Sequence, residues 1–562
     1  MFIFFSYLFF LFVILIRLFN IQVLHNRNYI KLADSQHNLT LTLYPQRGMI
    51  YDRNMKMFAL SLKVYSVYAE PRIMENKEQI SQKLSEILGV EQDKIYSRLK
   101  KDKFFVWIKR RITEEEAENI KALNLHGIGL LNENKRYYSN GSLASHVLGF
   151  VGLDEQGLEG LELEYNNYLK GELGWRSLIR DAKQRMLPAF EYEFVPAIDG
   201  NNLLLTIDEV IQHIVEEELD KSFEKSKAIG ASVVVMDPAT GEIYALANRP
   251  CFDPNSFGKS SADQRRNRAV CDYFEPGSTF KAITASAALD KGVVKVEDKF
   301  FCENGSYRIA GHTLHDHRPH GNLTFAEIVE KSSNIGIAKV AQKMGEKTLY
   351  SYIKKFRFGD LTGIDLPGET NGFIRPVEQW SKLSISAIPM GQEICATVIQ
   401  MARAMAVIAN GGYLVKPRIV QKIFDNNDEV IREFKQDSYE QIITPETAAT
   451  MRKILQKVVE SGTGGNARIS GYTVAGKTGT AQKIEPGGGY SHHNFIASFI
   501  GFAPVENPRF VIAVVFDQPR PYYYGGLVCA PVFKNISEKV LRYLDVPKSN
   551  IINNKNKEEV FD

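Results

Sequence analysis

Pro276-Gly277-Ser278-Thr279-Phe280-Lys281-Ala282-Ile283-Thr284-Ala285-Ser286-Ala287-Ala288-Leu289 reads as a helix that opens at the Pro-Gly pair and stops at Gly292. The spacing of three puts Ser278 and Lys281 on one helix face. A serine hydroxyl is a poor nucleophile until a base takes its proton, and a lysine held neutral by burial and a neighbouring cation can be that base. At a helix start, Ser278 also sits where backbone N–H groups favour an oxyanion. The spacing alone is cheap, because Ser222, Ser256 and Ser351 also stand three residues ahead of Lys225, Lys259 and Lys354. What lifts Ser278 is its Pro-Gly lead and two motifs downstream.

The first of these is Ser332-Ser333-Asn334, opening another apolar helical run at Ile335 and Gly336. By itself Ser-x-Asn reads as a helix cap. Beside a nucleophile, Ser332 can relay a proton to a leaving amine and Asn334 can hold a substrate amide. The second is Lys477-Thr478-Gly479-Thr480, flanked by strand-like residues that read as a sheet edge. Gly479 would let a peptide backbone lie alongside, and Lys477, Thr478 and Thr480 offer a cation and hydroxyls to a carboxylate.

Working outward, Ser232–Met236 and Glu242–Leu246 read as a hairpin across Asp237-Pro-Ala-Thr-Gly241. Tyr472–Ala475, Ala497–Gly501 and Phe510–Val515 are again strand-like, while about 278 to 460 reads as largely helical. This order predicts one sheet whose strands come from both ends of the domain. The Asp199-Gly-Asn-Asn202 turn marks the main boundary, followed by the strand Leu203–Leu205 and a helix carrying Ile207, Ile211 and Leu219. Upstream, residues 24–200 mix strands with polar helices, among them a capping box at Thr113-Glu-Glu-Glu116.

The ordered trio Ser-x-x-Lys, Ser-x-Asn, Lys-Thr-Gly resembles that of penicillin-binding proteins and class A β-lactamases. Arg47-Gly-Met-Ile-Tyr-Asp-Arg53 resembles the pedestal signature of class B penicillin-binding proteins. Gly157-Leu-Glu-Gly-Leu-Glu162, Tyr523-Tyr-Gly-Gly526 and Ala530-Pro-Val-Phe533 resemble further segments of that family. Ser333 stands where the Ser-Asp-Asn form of the second motif has Asp, a departure that the resemblance to cell-division members tolerates, and no Glu-x-x-x-Asn lies between Asn334 and Lys477 to match a β-lactamase's deacylating glutamate. Slow hydrolysis of an acyl-enzyme is therefore expected.

The resemblance implies a multidomain α+β protein with an elongated pedestal at 24–200 and a β-lactamase-like serine transpeptidase domain, an antiparallel sheet flanked by helices, at 201–548, between an apolar membrane anchor at 1–23 and a polar tail at 549–562. With no glycosyltransferase-like segment ahead of the pedestal, it implies the monofunctional peptidoglycan D,D-transpeptidases. Ser278 would be the nucleophile, Lys281 the base, Ser332, Asn334 and Lys477 the other catalytic groups. Thr478, Gly479 and Thr480 would bind substrate, and the backbone N–H groups of Ser278 and Thr480 would form the oxyanion hole. The partners implied are D-Ala-D-Ala stem peptides, an acceptor amine, β-lactam antibiotics, a lipid II polymerase and other division proteins. Among paralogues the pedestal and Tyr-Tyr-Gly-Gly segments look most like the septal, cell-division type. An elongation-phase enzyme is the alternative; a β-lactam sensor and a non-catalytic division scaffold are the readings from other classes.

Length and composition agree. The 562 residues suffice for about three or four domains. With 44% hydrophobic and 24% charged residues, neither a disordered chain nor a polytopic membrane protein fits. A net charge of +3 points to no polyanionic partner and no nucleic acid. The five cysteines are scattered; Cys251, Cys271 and Cys302 are near enough in sequence for a bridge, but read better as small buried residues. His312, His315, His317 and His320, with Asp316 among them, have the density of a zinc site. Gly311, Pro319 and Gly321 mark that stretch as a loop near the active site, and neither metal nor cofactor is expected.

Phe2–Ile16 is almost wholly apolar and the pattern resumes past Arg17, so an uncleaved single-pass inner-membrane anchor with a periplasmic body is expected. The uninterrupted stretch is short, and Arg17 would have to snorkel. Arg17, Arg27 and Lys31 follow the span with no basic residue before it, the reverse of the positive-inside pattern. A start codon set too far downstream, removing a basic cytoplasmic tail, would account for both.

Overall fold

The computed structural model describes residues 1–27, 29, 38–179, 194–436, 439–485 and 487–548. The expected polar tail, 549–562, lies outside the described residues. The chain forms two compact units, Met1–Gly48 with Asn167–Asn201, and Met49–Asn166 with Asn202–Asp562.

In the first unit the apolar N-terminus is a single helical run, Phe2–Leu24, of which no residue is buried. Its last turn, Asn20–Leu24, is a π-helix. Twenty-three residues rise roughly 34 Å, so the helix is long enough to cross a hydrocarbon core of about 30 Å with Arg17 inside the run. The same unit holds an antiparallel sheet of Asn38–Leu43, Gly174–Ile179 and Phe194–Val195.

In the second unit, the long strand Met57–Ala69 pairs antiparallel with both Val106–Ile112 and Ile128–Tyr138. Helices Lys77–Leu88, Gln92–Leu99 and Glu114–Leu123 cover it and bury Leu84, Leu88, Ile95, Leu99 and Ile120 against Val67 and Ile108. The capping box forms as read: Glu116 N–H donates to Thr113 Oγ1 at 3.2 Å and Thr113 N–H to Glu116 Oε2 at 2.9 Å. Below, Ile50–Tyr51 pairs with Asn202–Leu205, which in turn pairs with Val420–Phe424. Arg136 and Glu162 meet there as a buried ion pair, Nε to Oε1 2.6 Å.

The main sheet has five strands: β1 (Gly230–Met236), β2 (Ile243–Arg249), β3 (Ala475–Ile484), β4 (Tyr490–Ala503) and β5 (Phe510–Asp517). Their spatial order is β2-β1-β5-β4-β3, every pair antiparallel, so strands from both ends of the domain share one sheet. Near-continuous apolar runs in β1 and β5 follow from helices on both faces. Glu209–Ser226 and Gly525–Tyr543 cover one face, with Ile211, Val215, Phe533 and Ile536 in the core. Val398–Ala409 lies on the other, buried at all twelve positions, which is why its sequence shows no polar face.

Two details differ from the sequence reading. The strand expected at Tyr472–Ala475 starts only at Ala475 and runs through the whole Lys-Thr-Gly motif. Tyr472 instead donates its hydroxyl to Val546 O. The stretch read as helical also carries small hairpins, Lys299–Phe301 with Asn322–Thr324 and Ser306–Ile309 with His312–His315.

Candidate active site

The nucleophile segment is a 3-10 turn, Gly277–Phe280, before the α-helix Lys281–Asp290 (α1) begins. The expected helix is thus wound tighter at its start, and Ser278 lies on that turn. Gly277 has φ +55° and its N–H donates to Gly391 O at 3.1 Å. A Cβ on Gly391 would fall on the Gly277 carbonyl, so two glycine backbones lock the turn. Ser278 is half-buried while Gly277, Thr279 and Phe280 are buried, leaving its hydroxyl the reachable one. Among the described residues no group hydrogen-bonds to that hydroxyl.

Lys281 is fully buried, and its Nζ donates to Ser332 O (2.6 Å), Ser332 Oγ (3.2 Å) and Asn334 Oδ1 (2.7 Å). Lys477, also fully buried, reaches the same Ser332 Oγ at 2.9 Å and Thr478 O at 3.3 Å. Burial pushes Lys281 down to about 7, against the opposing pull of the Asp316 carboxylate. Burial, then the charge of Lys281, pushes Lys477 well below the usual lysine value. Two buried ammonium groups on one hydroxyl disfavour each other's charge.

Ser332 has φ +60°, a left-handed conformation rare for a residue with a side chain. Ser333 caps the helix Asn334–Met344 (α2), accepting from Gly336 N–H at 2.9 Å. The trio is therefore brought together: α1 supplies the serine and a lysine, the turn before α2 a hydroxyl and an amide, and edge strand β3 the second lysine.

The Cβ position of Gly479 faces Ser498 Oγ and lies 2.9 Å from the Thr279 methyl, so the missing side chain lets the Ser278 turn pack against β3. Thr478 Oγ1 lies 2.8 Å from Thr463 Oγ1, and Thr480 Oγ1 accepts from Gly525 N–H at 3.2 Å. Thr480 Oγ1 thus meets the start of the C-terminal helix, and Thr478 Oγ1 the loop that follows helix Pro445–Glu460.

Sequence reasoning missed Glu275, whose Oε1 accepts from Glu393 N–H (2.8 Å) and Tyr490 OH (3.2 Å) and ties the nucleophile turn to the β3–β4 hairpin. The histidine stretch, read as a loop, is a strand as far as His315. Among the described residues no three His, Cys, Asp or Glu side chains group to hold an ion. All five cysteines are free; only Cys302 and Cys529 are buried, the other three being partly exposed.

Residues 231–538 match the penicillin binding protein transpeptidase domain and residues 42–205 the penicillin-binding protein dimerisation domain, which defines the class. Stage V sporulation protein D of Bacillus subtilis is 37% identical over 550 residues, covering 96% of this chain and 85% of that protein. Peptidoglycan D,D-transpeptidase FtsI of Escherichia coli is 32% identical over 538 residues, covering 94% and 88%. The crystal structure of penicillin binding protein 3 from Mycobacterium tuberculosis, complexed with aztreonam, superposes with a TM-score of 0.72 at 30% identity, covering 91% of this chain and 98% of that one. The chain belongs to the class B penicillin-binding proteins.

Proposed function

We propose that this chain cross-links peptidoglycan stem peptides as a D,D-transpeptidase of septal wall synthesis. The observation that carries the chemistry is the convergence of buried Lys281 and Lys477 on Ser332 Oγ, one helical turn from the accessible Ser278. Lys281, pushed down to about 7 and so partly deprotonated at neutral pH, takes the Ser278 proton as Oγ attacks the carbonyl between the two terminal D-alanines. The backbone N–H groups of Ser278 and Thr480 stabilise the oxyanion. Lys477, Thr478 and Thr480 bind the terminal carboxylate, and Asn334 holds the substrate amide. Ser332 passes a proton from the lysine pair to the leaving D-alanine nitrogen. An amine of a neighbouring stem peptide then attacks the ester carbonyl, forming the new amide and returning the proton to Ser278. A β-lactam mimics the donor terminus and acylates Ser278 without an efficient exit.

In this reading, residues 1–23 are the single-pass inner-membrane anchor of a periplasmic body, 24–200 the pedestal and 201–548 the transpeptidase domain. A lipid II polymerase and other division proteins are the partners. The likeness to FtsI supports the septal role; that to a sporulation protein favours a sporulation role as the second reading. Incubating the detergent-solubilised full chain with labelled penicillin, followed by peptide mapping, tests the chemistry. One stable adduct on the Ser278 peptide, absent in Ser278→Ala, is expected; rapid drug turnover without an adduct would point to a β-lactamase. A fluorescent fusion concentrated at the division septum, rather than along the side wall or only in sporulating cells, tests the role.

A further inference from the structure

We propose that Asp316 is a positioning residue for acyl transfer, its carboxylate fixing the strained Ser332–Asn334 turn on which Lys281 and Lys477 converge. The inference rests on the acyl-enzyme reading above and adds a residue to it.

The carboxylate serves three consecutive residues. Its Oδ2 accepts from Ser333 Oγ at 2.6 Å, and its Oδ1 accepts from Asn334 N–H at 2.5 Å and Ile335 N–H at 3.1 Å. The adjacent carbonyl, His315 O, accepts from the Asn334 side-chain amide at 2.8 Å. These bonds begin at the residue after left-handed Ser332. A side chain held at positive φ costs free energy and persists only where its surroundings over-determine it. Here Lys281 holds the Ser332 carbonyl from one side, and Asp316 holds the three following residues from the other. Asn334 Oδ1 is thereby aimed at Lys281 Nζ while its amide nitrogen is anchored.

The setting of Asp316 supports this role. From Glu303 to Asn322 no residue is buried, so the Ser306–His315 hairpin arm adds little to the core. Its hydrogen bonds from Asp316 and His315 nevertheless run to the Ser-Ser-Asn turn. An anion also suits the first turn of α2, where the Asn334 and Ile335 amides have no partner within the helix.

The same carboxylate is the anion acting on Lys281. From β3 the lysine faces Lys477, and from the arm Asp316. Among other charged groups nearby, Lys339 of α2 pairs with Glu303, and Glu330 of the preceding helix accepts from Ser461. His315, His317 and Arg318 of the arm are solvent-exposed. Removing the negative charge while keeping the shape therefore makes Lys281 easier to deprotonate.

The test measures acylation of the full-length, detergent-solubilised chain by labelled penicillin across the titration of Lys281. Asp316→Asn keeps an acceptor for the Asn334 and Ile335 amides, so its plateau rate is expected within about tenfold of the unaltered chain. Its rising limb is expected at lower pH. Asp316→Ala loses every acceptor and is expected to acylate about 100-fold more slowly. If that variant does not fold, the Asn variant decides alone. A fall in rate with the limb unmoved in Asp316→Asn marks a merely structural role and overturns the proposal, as do unchanged profiles in both variants. Absence of any adduct on Ser278 in the unaltered chain overturns the acyl-enzyme reading itself, and the inference with it.

Discussion

Lys281 and Lys477 aim their ammonium groups at one hydroxyl oxygen, Ser332 Oγ, at 3.2 and 2.9 Å. A hydroxyl has two lone pairs and one proton. It can accept from both lysines, or donate to whichever of them is neutral. Ser332 can therefore pass a proton between the two amines, and the pocket is cheapest when the pair carries fewer than two charges.

The first prediction is the pH profile. With Lys281 pushed down to about 7, acylation of Ser278 by a labelled penicillin is expected to rise with pH and level off above about 7. A limb near the ordinary lysine value would exclude Lys281 as the base. The same group links to stability: between about 7 and its unfolded value of 10.5, the unfolded chain binds the extra proton. Stability is therefore gained as pH rises through that window. Denaturation midpoints at two pH values inside it should show the gain, and Lys281→Met should reduce it, buried Lys477 supplying the remainder.

Gly479→Ala is expected to damage the site from within the sheet. Its added methyl would fall on Ser498 Oγ and stand 2.9 Å from the Thr279 methyl, forcing the nucleophile turn off β3. Overpacking of this kind costs about 1–3 kcal/mol. The melting temperature should fall together with the acylation rate, and adding Ser498→Ala should restore part of both. No coupling between the two substitutions in a double-mutant cycle would show that the methyl finds room elsewhere.

The Arg136–Glu162 pair predicts a loss of stability remote from the chemistry. Both side chains are almost fully buried, and Tyr138 OH also reaches Glu162 Oε1 at 3.2 Å. Arg136→Met removes the cation hydrogen-bonded to a buried carboxylate and is expected to cost about 3–5 kcal/mol, whereas replacing both partners with apolar residues should cost less. Urea unfolding of the single and double variants reads the difference.

How much of this the sequence disclosed follows from where each signal resides. The grouping of Lys281, Ser332, Asn334 and Lys477 was legible because each lies in a short motif and the motifs occur in order. The Thr113–Glu116 capping box was legible because its bonds span three residues. The sheet was legible because β1, β2 and β5 are apolar runs bounded by turns. Asp316 was not, since its partners stand 17 to 19 residues away and are joined to it only by the fold of an arm with no apolar pattern. The packing of Gly479 against Ser498 and Thr279 was illegible for the same reason: a strand glycine announces a close approach, but not which groups make it. Glu275 lies beside the nucleophile motif, yet its role depends on Glu393 and Tyr490, which no local pattern joins to it.

Ser332 allows backbone and side chain to be separated. At φ +60° a glycine relieves strain that alanine keeps, while both remove the hydroxyl shared by the two lysines. Ser332→Gly is expected to be more stable than Ser332→Ala by about 1 kcal/mol, the left-handed penalty outweighing glycine's larger entropy loss on folding. Both are expected to lose cross-linking activity, because the proton path to the departing amine runs through the hydroxyl that each lacks. Thermal melts and a D-alanine release assay on the two variants check this together. Alanine melting above glycine would mean that the turn is unstrained. Retained D-alanine release in either variant would place the proton path on Lys281 or Lys477 directly, leaving Ser332 as the residue that spaces them.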